Sequence, residues 1–386
     1  MDVSRICSDL VAIRSENPPG DTEAVIEYIR GLLEGIGLRS RVIGGGAGNC
    51  NLVCEGTGNL LFCGHVDVVP ALDDGWRFPP FSGRIEDGFV WGRGSTDMKG
   101  GCAAMLAACD ALVDRDVPLP TLAFVCDEET GGEAGILQLL VKRLISPCDC
   151  VVGEPCPARS PSIGQKGLCR IEMQFAGTPA HGSLYPAVGT SAIMEASLFL
   201  DRVRDLHERE YPAEEALNRI LDQSSDVLGR EFSLKGVSRI LRKITFNPGV
   251  IKGGEKSNVV AQACTLDLEL RIPWGCSITD LLAEIAGYSP RGTITSSSTH
   301  EPSITDPSSR LVNITCDEVR KVYGGEVFPI VQWAASDARH LRKAGFRVIE
   351  YGPGEISTLH AVDEKVNLVS LKNATRIYEG IMQGYA

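Results

Sequence analysis

No N-terminal signal peptide and no apolar run long enough to span a membrane is visible in the sequence, so a cytoplasmic protein is expected. It is also short of positive charge, with 38 Lys and Arg against 50 Asp and Glu, a formal net charge of -12. Nucleic acid and anionic membranes both reward basic surface, and neither is expected as a partner. The glycine-rich run Gly44 to Gly48 lacks the spacing and the lysine of a phosphate-binding loop; it reads as a plain loop and argues against nucleotide binding. No CxxC pair occurs among the 14 cysteines, and Cys148, Cys150 and Cys156 have no zinc-site spacing. Cys63, Cys102, Cys109 and Cys126 lie inside apolar runs, so reduced, buried thiols are expected. With 43% hydrophobic and 23% charged residues over 386 positions, the chain is globular and long enough for two domains.

What is present is a set of apolar strands that end in metal-ligand chemistry. Leu60 to Cys63 read as a buried strand, and His65 and Asp67 follow it two positions apart, on one side of extended chain. A neutral imidazole binds metal through one nitrogen while a carboxylate on the other fixes its tautomer, which gives Asp67 the role of orienting His65. Asp97 lies in the glycine-lined turn Gly92 to Gly101 ahead of a small-residue helix, Cys102 to Val113; a helix cap is the plainer role for such an Asp. Thr121 to Cys126 form a strand that runs into Asp127-Glu128-Glu129, and Cys150-Val151-Val152 run into Gly153-Glu154-Pro155. Phe346 to Tyr351 give another strand, followed by His360. In open α/β sheets ligands bind beyond the strand ends, where these groups collect.

Alternating strands and helices at both ends of the chain predict an α/β domain with a mainly parallel sheet. Ile85 to Trp91, around Asp87-Gly88, read as a hairpin. Between about Leu168 and Ser298 the character changes to an inserted α+β module, with strands over Cys169 to Phe175, Ile244 to Lys252 and Ala261 to Arg271. The stretch Arg202 to Lys243, rich in both charge signs, is expected to be a solvated helical elaboration.

Two His and several carboxylates suit zinc, and five protein ligands over-supply one tetrahedral site. Two metals sharing a bridging carboxylate fit better; such a pair acidifies a shared water and polarises a substrate carbonyl. The reaction also needs a base that moves the water's proton to the leaving amine. Either Glu128 or Glu129 serves, the other binding metal.

Six motifs then stand in one order: Gly64-His65-Val66-Asp67-Val68-Val69-Pro70, Gly92 to Gly101, Asp127 to Gly132, Val152-Gly153-Glu154-Pro155, Gly177-Thr178-Pro179-Ala180-His181-Gly182 and Leu359-His360. In them essentially the whole chain resembles the co-catalytic metallopeptidase and deacylase family that contains acetylornithine deacetylase, succinyl-diaminopimelate desuccinylase, aminoacylase and glutamate carboxypeptidase. The resemblance implies one metal on His65, Asp97 and Glu154, a second on Asp97, Glu129 and His360, and Glu128 as general base and acid. It implies a catalytic domain over 1–167 and 299–386 and an inserted lid over 168–298 that forms a homodimer. From that lid His181 would reach the partner subunit's site and stabilise an oxyanion. Asn258 and Arg271 resemble lid residues that hold a substrate carboxylate, and Lys166 stands where the family carries a further basic contact. Two departures stand out. Desuccinylases carry Gly-Gly-Thr-Ser-Asp where this chain has Trp333-Ala334-Ala335-Ser336-Asp337, and the stretch Leu206 to Arg242 is longer than usual.

The expected activity is therefore metal-dependent hydrolysis of an N-acyl amino acid, with zinc, cobalt or manganese as the ion. A dipeptidase or carboxypeptidase is the runner-up. A metal-binding dimer without catalysis has no use for an unligated acid beside a ligand, and Glu128 argues against it.

Overall fold

The computed structural model describes residues 1–46 and 48–386. Its largest sheet has nine strands, and the four at its centre are parallel: Leu60–His65 lies between Thr121–Val125 and Asp149–Val152, with Arg347–Glu350 beyond. Asn49–Cys54 and Arg41–Gly46 extend one side antiparallel, while Ser162–Gln165, Ser303–Ile304 and Ile330–Gln332 complete the other.

Beyond their first positions the central strands are buried throughout because both faces are covered, and their middles are apolar. Leu60 and Phe62 face a core built with the helices Val3–Ala12, Gly100–Leu112 and Leu368–Gln383, whereas Leu61 and Cys63 face Ile136–Val141 and Ala338–Lys343. Gly64 sets how close the Gly100–Leu112 helix comes: a Cβ there would lie 2.8 Å from both Cys102 Sγ and Met98 Cε. All 14 cysteines are free, and all but Cys50 and Cys148 are buried. Among the described residues no helix is long and apolar enough to cross a membrane.

A second, antiparallel sheet has the order Thr245–Gly253, Ala263–Ile272, Gly167–Ala176, Gly292–His300. Burial alternates along Gly167–Ala176: Cys169, Ile171, Met173 and Phe175 lie under the helices Ala192–Leu206 and Ile278–Ala286, and Arg170, Glu172 and Gln174 point to the open face. The two sheets meet at Lys166, the single residue between Ser162–Gln165 and Gly167–Ala176. Arg84–Glu86 and Phe89–Trp91 form the expected hairpin, with Asp87 and Gly88 both at positive φ, and Lys365–Asn367 pairs onto it.

Three sequence expectations change. The run expected as a loop at Gly44 to Gly48 is strand up to Gly46, with Gly44 paired to Cys50, and Ala47 lies outside the described residues. The strand Gly292–His300 went unread because its Ser and Thr positions carry no apolar alternation; its main chain pairs with Gly167–Ala176 all the same. The charged stretch is not simply solvated. Its helix Glu215–Glu231 buries Ile220, Leu221, Val227 and Leu228 in the core of the larger unit, and the Val331 amide donates to Ser224 Oγ at 2.9 Å. Charged residues on one face hid an amphipathic stripe on the other.

Candidate active site

The strand ends converge on one cavity of about 380 Å³. His65, only 1% exposed, closes its strand with Nδ1 2.9 Å from the Asp67 carbonyl oxygen. That contact places a ring hydrogen on Nδ1 and turns Nε2 toward the acids, 3.1 Å from Asp97 Oδ1 and 3.8 Å from Glu154 Oε1. The Asp67 carboxylate, 3.4 Å from His65 Nδ1, turns mainly to another task. It accepts the backbone N–H groups of Glu128 and Glu129, both at 3.2 Å, and the Asn17 amide at 3.0 Å. Asp67 thus fixes the imidazole through its main chain and the acidic turn through its side chain.

Asp97 does not cap the helix that follows. Its two carboxylate oxygens face two imidazoles, Oδ1 toward His65 and Oδ2 toward His360 Nε2, each at 3.1 Å. Its backbone is held by Glu364, which accepts the Thr96 and Asp97 amides at 3.0 and 3.1 Å and is paired with Arg93 at 2.5 Å. Glu129 Oε1 lies 3.4 Å from His360 Nε2 and is buried without a hydrogen-bond partner. His360 adopts a left-handed φ of 58°, a conformation uncommon outside glycine that turns up where function fixes the chain.

Two groups result: His65, Asp97 and Glu154, and Asp97, Glu129 and His360, the ligand atoms within each all inside 4.8 Å of one another. Glu128 belongs to neither, although it lines the same cavity. It pairs with Arg339, whose Nη1 is 3.6 Å from Glu128 Oε1 and donates to the Ser336 carbonyl at 2.9 Å. Burial drives the Glu154 and Glu128 carboxyls well above their ordinary range, and neighbouring acids add to it. Burial pushes Asp97 the same way, but the hydrogen bonds from His360 and His65 overcome it and hold Asp97 below the usual range. Across the two groups three carboxylates face two imidazoles, with an orphaned oxygen on Glu129. Such a donor set fits a pair of divalent cations, which would neutralise it.

The remaining expected site residues divide. Arg271 lines the cavity with Ala335 and Ser336, the latter fixed by a 2.5 Å hydrogen bond to Glu350. His181 and Asn258 sit together on the inserted unit, where the Gly182 amide donates to the Asn258 carbonyl at 2.8 Å. Neither residue lines the cavity; the His181 ring is exposed and bonded to Ser183 Oγ at 2.8 Å. Lys166 does not serve as a substrate contact. Only 1% exposed, its ammonium donates to the carbonyls of Ile240 at 2.7 Å and Lys243 at 2.6 Å and to Thr245 Oγ1 at 3.4 Å, so all three N–H groups are engaged within the protein. Sequence reading missed Arg170, Arg339 and Glu350 in the lining; for Arg170 the signal was its outward place in the alternation along its strand.

Lys166 therefore ties the junction of the two sheets to the end of the helix Val237–Arg242. Burial pulls its pKa down to about 7, with Arg271 adding to the shift. The unfolded lysine keeps its proton to about pH 10.4, so between these values the unfolded chain binds more protons and stability rises with pH. A neutral amine still has two N–H groups for the two carbonyls. At pH 9, Lys166→Met is expected to cost about 1–3 kcal/mol in urea unfolding. The gap should shrink toward pH 7; a gap constant from pH 7 to 10 would refute the buried, depressed amine.

The sequence profile of Peptidase family M20/M25/M40 matches residues 61–384. The chain belongs to this family. A Cereibacter sphaeroides protein named succinyl-diaminopimelate desuccinylase is 29% identical, over 100% of this chain and 99% of its own length. Among solved structures, an M20 family metallo-carboxypeptidase from Sulfolobus solfataricus superposes with a TM-score of 0.81 at 19% identity, covering 100% and 99% of the two chains. A Bacillus subtilis protein described as a dinuclear metal-binding peptidase of the M20 family superposes at 0.64 with 12% identity, covering 98% and 96%. The chain is thus a metal-dependent amidohydrolase with the M20 fold, and it carries two candidate ligand groups that share Asp97.

Proposed function

We propose that this M20 enzyme hydrolyses the amide bond of an N-acyl amino acid, in the manner of a deacetylase or desuccinylase, with Glu128 as general base and acid. The observation that carries this reading is the separation of two adjacent acids: Glu129 stands in a ligand group, whereas Glu128 is buried in the same cavity outside both. His65, Asp97 and Glu154 would hold one ion and Asp97, Glu129 and His360 the other. Zinc there, or cobalt or manganese, would polarise the amide carbonyl and acidify a water.

Glu128 takes the water's proton and passes it to the leaving nitrogen; burial strengthens its hold on that proton in between. Asp67 keeps Glu128 and Glu129 in register by gripping both backbone amides. Arg271 receives the carboxylate of the substrate, and His181 and Asn258 reach the cavity of a partner subunit. Two features support that homodimer through the lid, 168–298. The edge strand Thr245–Gly253 exposes Val250 and Ile251, and the outer face of the helix Ala192–Leu206 exposes Ile193, Met194 and Leu198.

The test is amine release by zinc- or cobalt-loaded protein from N-acetylornithine, N-succinyl-diaminopimelate, simple N-acetyl amino acids and a few dipeptides. Hydrolysis of an N-acyl compound in preference to every dipeptide is expected. Cleavage of dipeptides alone would replace this reading with a dipeptidase, for which the alanines at 334 and 335 already loosen the desuccinylase pattern.

A further inference from the structure

Besides Arg271 and Arg339, the cavity carries a further cation that the motifs did not single out. Arg170 lies on the open face of the lid sheet, directly across from Glu269 on the neighbouring strand. Its Nε donates to Glu269 Oε2 at 2.9 Å. From the other side, Arg271 Nε donates to Glu269 Oε1 at 2.9 Å, and its Nη2 lies 2.7 Å from the same oxygen. One carboxylate thus holds two guanidiniums, and the trio keeps a surplus positive charge.

Both arginines line the cavity that contains Glu128, Glu129, Glu154 and His360. Arg271 Nη1 is buried there with no hydrogen-bond partner. An unsatisfied charged donor inside a cleft costs free energy until an acceptor arrives. Past Arg170 the open face carries Glu172 and Asp267, opposite one another, so an anion gains nothing by moving further along the sheet. Lys166, four residues earlier on the same side of the chain, is committed to main-chain carbonyls.

We propose that Arg170 and Arg271, yoked by Glu269, form a two-guanidinium cradle for a substrate carboxylate, with Arg170 as the specificity-determining residue in the role that Lys166 leaves empty. The inference rests on the amidohydrolase reading above and adds to it that the preferred substrate is anionic at this end. Glu269 is a positioning residue: it holds Arg170 through Nε and Arg271 through Nε and Nη2, which leaves Arg271 Nη1 unpartnered. A guanidinium edge meets a carboxylate with paired, charge-assisted hydrogen bonds, a geometry that lysine cannot copy.

The experiment is calorimetric binding to full-length, metal-loaded protein of succinate, glutarate and adipate, each against the monocarboxylate of equal length: butyrate, pentanoate and hexanoate. At one chain length the wild type is expected to prefer the dicarboxylate by about tenfold or more. Arg170→Gln should cut that preference to about twofold, Arg170→Lys should not restore it, and Glu269→Gln should fall between. Arg170 is exposed enough that neither replacement threatens folding, with 58% of its side chain accessible. Preference surviving in Arg170→Gln, or missing at every length in the wild type, would overturn the cradle. If the dicarboxylate preference holds and depends on Arg170 while no amide is hydrolysed, the cradle stands and the proposed activity falls.

Discussion

Glu128→Gln is expected to lower kcat by about three orders of magnitude while metal content stays at the wild-type level. Glutamine keeps the volume, and the Asp67 grip on the backbone amides of 128 and 129 does not involve the side chain that changes. What disappears is the acid that lies next to the ligand Glu129 in the same cavity yet is a member of neither ligand group. An amide can donate to a water but cannot take its proton or deliver one to an amine. Single-turnover kinetics with parallel metal analysis separate the outcomes: unchanged kcat would remove Glu128 as the base, and lost metal would make it a ligand instead.

Asp97→Asn is expected to strip more than one ion's worth of function, because Asp97 is common to both groups. Its carboxylate faces His65 and His360 at 3.1 Å each, with backbone anchored through Glu364, so the isosteric amide keeps the turn but gives up a bridging charge. Bound metal should fall by at least half and turnover should become undetectable. His360→Ala makes a useful contrast: it depletes one group only, and that side chain is half exposed, so one ion should remain. If Asp97→Asn retained both ions and full activity, the shared-ligand arrangement would be wrong.

The central sheet and the ligand set were legible because one pattern reports both. A parallel strand buried on two faces is an uninterrupted apolar run, and in Leu60–His65, Thr121–Val125 and Asp149–Val152 the run stops where the sheet opens into the cavity. The polar residues just past each stop include His65, Glu129 and Glu154 of the candidate ligand groups. Residue identity could not separate Glu128 from Glu129, since the two are chemically alike; the turn after Thr121–Val125, pinned by Asp67, sends one to His360 and the other to Arg339. Lys166 misled for a related reason. A basic residue at a sheet junction looks available in sequence, and the carbonyls of Ile240 and Lys243 that engage it are some 75 residues away along the chain. Arg170 was hidden among other surface charges until the cross-strand register set it opposite Glu269.

The central claim is a catalytic pair of ions in the cavity that holds Glu128, and metal titration of chelator-stripped protein tests it most directly. Hydrolysis of the best N-acyl amino acid should be near zero in stripped protein and return with added zinc or cobalt, reaching its plateau as the second ion per chain binds. Full activity in metal-free protein, or two bound ions with no hydrolysis of any N-acyl amino acid or dipeptide, would contradict it.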